Sequence, residues 1–151
     1  MNNDLKTSQE GISLIKSFEG CELSAYRCSA NVPTIGYGHT AGVSDGDTCT
    51  LEEAEEMLTE DLVEFENYVK KYVETDLEQN QFDSLVAWVY NLGPKNLSES
   101  TLLKELNAGN LEEVPRQMKR WNRAGGQVLD GLIRRREAES RLLKGEAWEN
   151  V

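Results

Sequence analysis

Three side chains in the first quarter of the chain have the types and spacing for acid–base chemistry: Glu19, Cys28 nine positions later, and Thr34 six after that. They stand in Phe18-Glu19-Gly20 and just ahead of or within Thr34-Ile35-Gly36-Tyr37-Gly38-His39-Thr40. A carboxylic acid whose surroundings raise its pKa can protonate a leaving oxygen near neutral pH. A second reactive group, the thiol, and a hydroxyl follow it on a short, glycine-bearing hairpin. Those are the parts needed to hydrolyse a glycosidic bond.

The flanking elements must bring these groups together. Thr7-Ser8-Gln9-Glu10 reads as a capping box with Thr7 as N-cap. Ile12, Ile15 and Glu19 then share one helical face, and Gly20 is placed to end the helix. Glu19 falls in the last turn beside the apolar stripe, where desolvation and the negative end of the helix dipole should both raise its pKa. Residues 22–27 and 32–39 are strand-like, with Ser29-Ala30-Asn31 as the turn between them. Pro33 confines the second strand to an edge or an irregular start. Alternation would set Val32, Thr34, Gly36 and Gly38 on one face and Ile35, Tyr37 and His39 on the other. Cys28 and Thr34 flank the same turn and are expected to converge. A free thiol, with a pKa of about 8.5, is a poor base near pH 7 unless its surroundings lower that value. Arg27 or an arginine from the C-terminal segment could lower it, and Glu19 would oppose the shift.

Further along, Thr50-Leu51-Glu52-Glu53 is a second capping box, opening a helix to about residue 58. A longer amphipathic helix follows on Leu62, Phe65, Val69 and Val73. Residues 52–78 hold eleven acidic and two basic groups, the pattern of a solvated helix. Asn80 to Leu92 carries Phe82, Leu85, Val86, Val89 and Leu92 at helical spacing, and Gly93-Pro94 stops it. Residues 100–107, 111–123 and 129–143 also read as helices, with Gly125-Gly126 as a break. The expected fold is α+β and mainly helical: a small hairpin-bearing lobe over about 8–58, a connecting helix over about 59–75, and a helical lobe over about 79–146.

A chain of 151 residues can bury a sizeable core as one domain. It holds no run of about 18 apolar residues, so no membrane insertion is expected, and its polar first residues suggest a start in the cytoplasm. Cys21, Cys28 and Cys49 lack the spacing of a zinc site, and no metal or other cofactor is expected. Cys21 and Cys49 could pair only in an oxidising compartment. The net charge of −11 is unevenly spread. Residues 1–114 hold 7 basic and 22 acidic groups, whereas residues 115–144 hold 9 basic and 3 acidic groups. The basic stretch either neutralises its acidic surroundings or attracts a polyanion. Nucleic acid is not the expected partner, because the chain as a whole would repel phosphate.

The spacing Glu-x8-Cys-x5-Thr, followed by Ile-Gly-Tyr-Gly-His, resembles the phage-type lysozymes, glycoside hydrolase family 24. The resemblance extends to Asn80-Gln81-Phe82-Asp83-Ser84-Leu85, Tyr90-Asn91-Leu92-Gly93, Ser100-Thr101-Leu102-Leu103, Trp121 and Gly131-Leu132-Ile133-Arg134-Arg135-Arg136-Glu137. It implies a peptidoglycan hydrolase that cleaves the β-1,4 bond between N-acetylmuramic acid and N-acetylglucosamine by inverting water attack, for lysis of a bacterial host. Glu19 would be the acid, with Cys28, which takes the place of the commoner Asp, and Thr34 acting on the water. The resemblance places Tyr90, Asn91 and Ser100 along the substrate cleft and gives His39 a structural role. It also implies a monomer in the host cytoplasm that needs a separate pore-forming protein to reach the wall. Two rivals stay open: a lytic transglycosylase, and a catalytically silent module that binds glycan or a partner.

Overall fold

The computed structural model describes residues 2–151. Helix α1 (Gln9–Glu19) leads to a hairpin of β1 (Glu22–Arg27) and β2 (Pro33–Gly36), and helix α2 spans Leu51–Tyr72. Helices α3 (Gln79–Leu92), α4 (Pro94–Glu99) and α5 (Thr101–Asn107) follow. A single 3₁₀ turn (Leu111–Glu113) then leads into α6 (Val114–Lys119), a second small hairpin of β3 (Arg123–Ala124) and β4 (Gln127–Val128), and α7 (Asp130–Leu143). The fold is the expected mainly helical α+β type. By compactness, Ile15–Glu64 form one unit, and the residues up to Leu14 with Phe65–Val151 form the other.

In the larger unit, Phe82, Leu85, Val86 and Val89 are fully buried, as their spacing predicts. Leu102, Leu106, Val114, Met118 and Ala138 are buried in the same unit. Each large apolar side chain so buried contributes about 1.5–3 kcal/mol. Gly93 takes φ +89°, a left-handed conformation that costs glycine little, and Pro94 opens α4 from its first position.

Local signals and tertiary contacts disagree in four places. The expected capping box at Thr7 gives way to long-range anchors. The Thr7 amide and hydroxyl both donate to Glu66 Oε2, at 2.9 and 2.7 Å. The Ser8 amide donates to Asp83 Oδ1 at 2.9 Å, and its hydroxyl donates to Asp83 Oδ2. Glu10 accepts instead from Trp148 Nε1 at 2.9 Å. The break expected near residue 58 does not occur: α2 is continuous, because Ala54, Leu58, Leu62 and Val69 keep one buried stripe. The helix expected over 111–123 stops at Lys119. Gly125 and Gly126, at φ +58° and +80°, turn the chain into the β3–β4 hairpin. The second strand ends at Gly36 rather than at residue 39, because Tyr37-Gly38 turn the chain back so that Ile35 and His39 exchange backbone hydrogen bonds at 2.9 Å. The Thr50–Glu53 capping box does form, with bonds of 2.9 and 3.1 Å.

Candidate active site

Glu19 is the last residue of α1 and is half-buried; the Gly20 amide closes the helix on the Lys16 carbonyl at 3.1 Å, and Gly20 leaves at φ +69°. The chain then enters β1, which pairs antiparallel with β2 so that Tyr26 faces Thr34. A tight turn joins the strands. The Cys28 amide donates to the Val32 carbonyl at 3.1 Å, and the Asn31 amide, on a residue at φ 61°, donates to the Cys28 carbonyl at 2.8 Å. Cys28 and Thr34 therefore do converge. The Thr34 hydroxyl is buried and donates to the Val32 carbonyl at 2.8 Å.

The turn acts on the thiol directly. The backbone N–H groups of Val32 and Ala30, and after them the neighbouring Thr34 side chain, favour the charged sulfur and hold the Cys28 pKa below its ordinary value. Arg27 is committed elsewhere, donating to the Asn31 carbonyl at 2.9 Å and to Asp45 at 2.6 Å. The lowering comes from backbone donors, which sequence inspection does not reveal. Tyr26 reports the neighbourhood. Its phenol is pushed up by burial first and then by the charges of Glu19, Cys28 and Glu22, so the acid and the thiol lie about one ring.

His39 Nδ1 lies 2.7 Å from Asp61 Oδ2 on α2. Tyr37 is buried, with Lys16 Nζ 5.5 Å from its ring centre. Cys21, Cys28 and Cys49 are free thiols. No cluster of three or more metal-ligating side chains occurs among the described residues.

Tyr90, Asn91 and Ser100 belong to the larger unit. Tyr90 packs edge-on to Phe65, with ring centres 5.0 Å apart at 70°. Asn91 is exposed near the end of α3, and its Oδ1 accepts from Arg136 Nη2. Ser100 is buried as the N-cap of α5; its hydroxyl accepts from the Leu103 amide at 3.0 Å and donates to the Leu97 carbonyl at 2.7 Å. It borders an open depression of about 430 Å³, which Gln117, Arg120, Trp121 and Arg123 also line. Trp121 stands edge-on to the buried Trp88, with ring centres 5.5 Å apart.

Glu19 at the end of α1 and Cys28 and Thr34 on the hairpin that follows thus fall within one compact unit. The phage lysozyme family model matches residues 16–139. The chain is 44% identical to the endolysin of Bacillus phage B103, over 95% of this chain and 56% of that protein. It is 36% identical to the endolysin of Salmonella phage P22, over 91% of this chain and 97% of that protein. Among solved structures, the muramidase domain of SpmX from Asticaccaulis excentricus superposes with a TM-score of 0.87 at 38% identity, covering 92% of this chain and 97% of that one. The chain belongs to the phage lysozyme family. It spans a little over half the length of the Bacillus phage endolysins, 56% of one and 58% of the other.

Proposed function

We propose that this protein is a peptidoglycan hydrolase that cleaves the β-1,4 bond between N-acetylmuramic acid and N-acetylglucosamine, with inversion, in lysis of a bacterial host. The observation that carries the reading is the grouping of Glu19, Cys28 and Thr34 in one compact unit, with the sulfur drawn toward its thiolate form by the turn. Glu19 gives its proton to the glycosidic oxygen as the bond to the anomeric carbon breaks. A water held at the Thr34 hydroxyl bonds to that carbon from the opposite face, and its proton passes to the Cys28 thiolate. Solvent then returns a proton to Glu19 and takes one from Cys28. Tyr90 and Asn91 contact the glycan, and Ser100, whose hydroxyl is committed to capping, shapes the surface beside them.

The family supports the lytic role, through relatives named as endolysins. Among the described residues no helix is long and apolar enough to cross a membrane. The protein waits in the host cytoplasm as a monomer and reaches the wall through a separate pore-forming protein.

The test is turbidity loss of outer-membrane-permeabilised cells, with mass spectrometry of the released fragments. Reducing-end muropeptides are expected, and Glu19→Gln should lower their release by at least about a hundredfold. Anhydro fragments would assign a transglycosylase instead. No release by the parent at any pH or salt would leave a binding module. Full activity in Glu19→Gln would overturn the assignment of the acid.

A further inference from the structure

Arg136 on α7 is wholly buried, yet one arm of its guanidinium reaches an exposed residue. Nη1 donates to Glu139 Oε1 at 2.9 Å, and Nη2 donates to Asn91 Oδ1. Glu139 is itself fully buried and also accepts from Arg135 Nε at 3.1 Å, while Arg135 Nη2 donates to the Ala87 carbonyl at 3.1 Å. Arg136 is thus buried and held by a buried carboxylate of its own helix, and it meets α3 at Asn91.

This has a consequence for Asn91. A surface carboxamide ordinarily flips between two orientations and can offer either an acceptor or a donor. A guanidinium carries donors only, so the Asn91 atom that meets it must be the oxygen. The Nδ2 group is left on the other side of the carboxamide, and Asn91 is exposed to solvent. The buried arginine thereby converts a two-faced side chain into a fixed donor.

We infer that Arg136 is a positioning residue that locks Asn91 as a hydrogen-bond donor toward the substrate, so that the group recognised at Asn91 is an oxygen acceptor. Resting on the peptidoglycan reading above, that acceptor is the acetamido carbonyl of a wall sugar, the strongest uncharged acceptor the glycan chain carries. A fixed donor also selects: an amino group in that place, as on a de-N-acetylated sugar, would meet another donor and be rejected.

The experiment measures co-sedimentation with insoluble purified peptidoglycan in a Glu19→Gln background, so that binding is read without turnover. Asn91→Asp is the discriminating change. A carboxylate still accepts from Arg136, as an ion pair, but has lost the outward donor. The expected result is an unchanged or higher melting temperature together with binding weakened by about tenfold, an opposition that a merely structural role would not produce. Asn91→Ala, which strips Arg136 of its acceptor, should lose both stability and binding. Chemically de-N-acetylated peptidoglycan should bind the Glu19→Gln protein about tenfold less than the native material, and the Asn91→Asp version should discriminate between the two materials far less. Parent-level binding in Asn91→Asp would overturn the inference, and so would equal affinity of the Glu19→Gln protein for both materials. Failure of the hydrolase reading is seen separately, as absence of fragment release by the parent.

Discussion

At the scale of single residues, the departure of interest is the thiol at position 28. The backbone N–H groups of Val32 and Ala30, with the Thr34 side chain beside them, favour the charged form of its sulfur. Cys49 is pushed the other way, by burial first and then by Cys21 and Glu53. The two cysteines should therefore alkylate in opposite order to a random pair. With iodoacetamide followed over pH by peptide mass spectrometry, Cys28 should reach half its maximal rate below the ordinary thiol midpoint of about 8.5, and Cys49 above it. Equal profiles would remove the argument that the turn makes Cys28 a base. The same logic ranks substitutions. Cys28→Asp should retain activity, with the rising limb of its pH profile displaced downward, because a carboxylate ionises near 3.9. Cys28→Ser should retain less, since a neutral hydroxyl accepts a proton poorly. The order of these groups along the chain was legible in the sequence. The source of the thiol's activation was not, because backbone donors have no side-chain signature. Arg136 was also missed: it reads as one more cation in a basic run, although Glu139 three residues on is the kind of partner that allows an arginine to be buried.

At the scale of elements, periodicity carried far where the helix buries a full stripe, as in α3. It failed where the decisive partner is remote. Thr7-x-x-Glu10 has a proper capping signature, yet its hydroxyl goes to Glu66, 59 residues away. Gly125-Gly126 could have been read as a tight hairpin turn, since both positions take positive φ, but two-residue strands leave too short an alternation to notice. Gly11 gives the prediction at this scale. In an exposed helix, alanine would be favoured over glycine by about 1 kcal/mol. Here an added Cβ would lie 2.7 Å from Thr7 Cγ2 and 2.9 Å from Asp83 Cβ, inside van der Waals contact. Gly11→Ala should therefore destabilise by about 1–3 kcal/mol, the usual range for overpacking, as read by urea denaturation. A gain in stability would mean that the helix start yields more easily than its three anchoring side chains suggest. Asp83→Ala, which strands the Ser8 donors, should cost a comparable amount.

At the scale of the molecule, charge is the feature to test. The chain carries −11 overall, and α2 exposes Glu52, Glu53, Glu55, Glu56, Glu60 and Glu64. Such a surface repels itself, and salt relieves it by shortening the screening length from about 30 Å at 0.01 M to about 8 Å at 0.15 M. The melting temperature should rise by about 2–4 °C across that interval in scanning calorimetry, the equivalent of roughly 1 kcal/mol for a chain of this size. A fall would show that attractive pairs such as Lys16–Glu55 outweigh the repulsion. The mainly helical character and the hairpin-bearing N-terminal region were readable from pattern; the continuity of α2 was not, because its acidic density resembles a connector. The anchoring of Thr7 and Ser8 also sets an order of events during synthesis. The first helix emerges from the ribosome long before the carboxylates that hold its start, since Asp83 follows Ser8 by 75 residues. At about 5–20 residues per second that interval is roughly 4–15 s. Throughout it the Ser8 amide has only water as a partner, and the helix that ends in Glu19 gains this anchor only after Asp83 has been made.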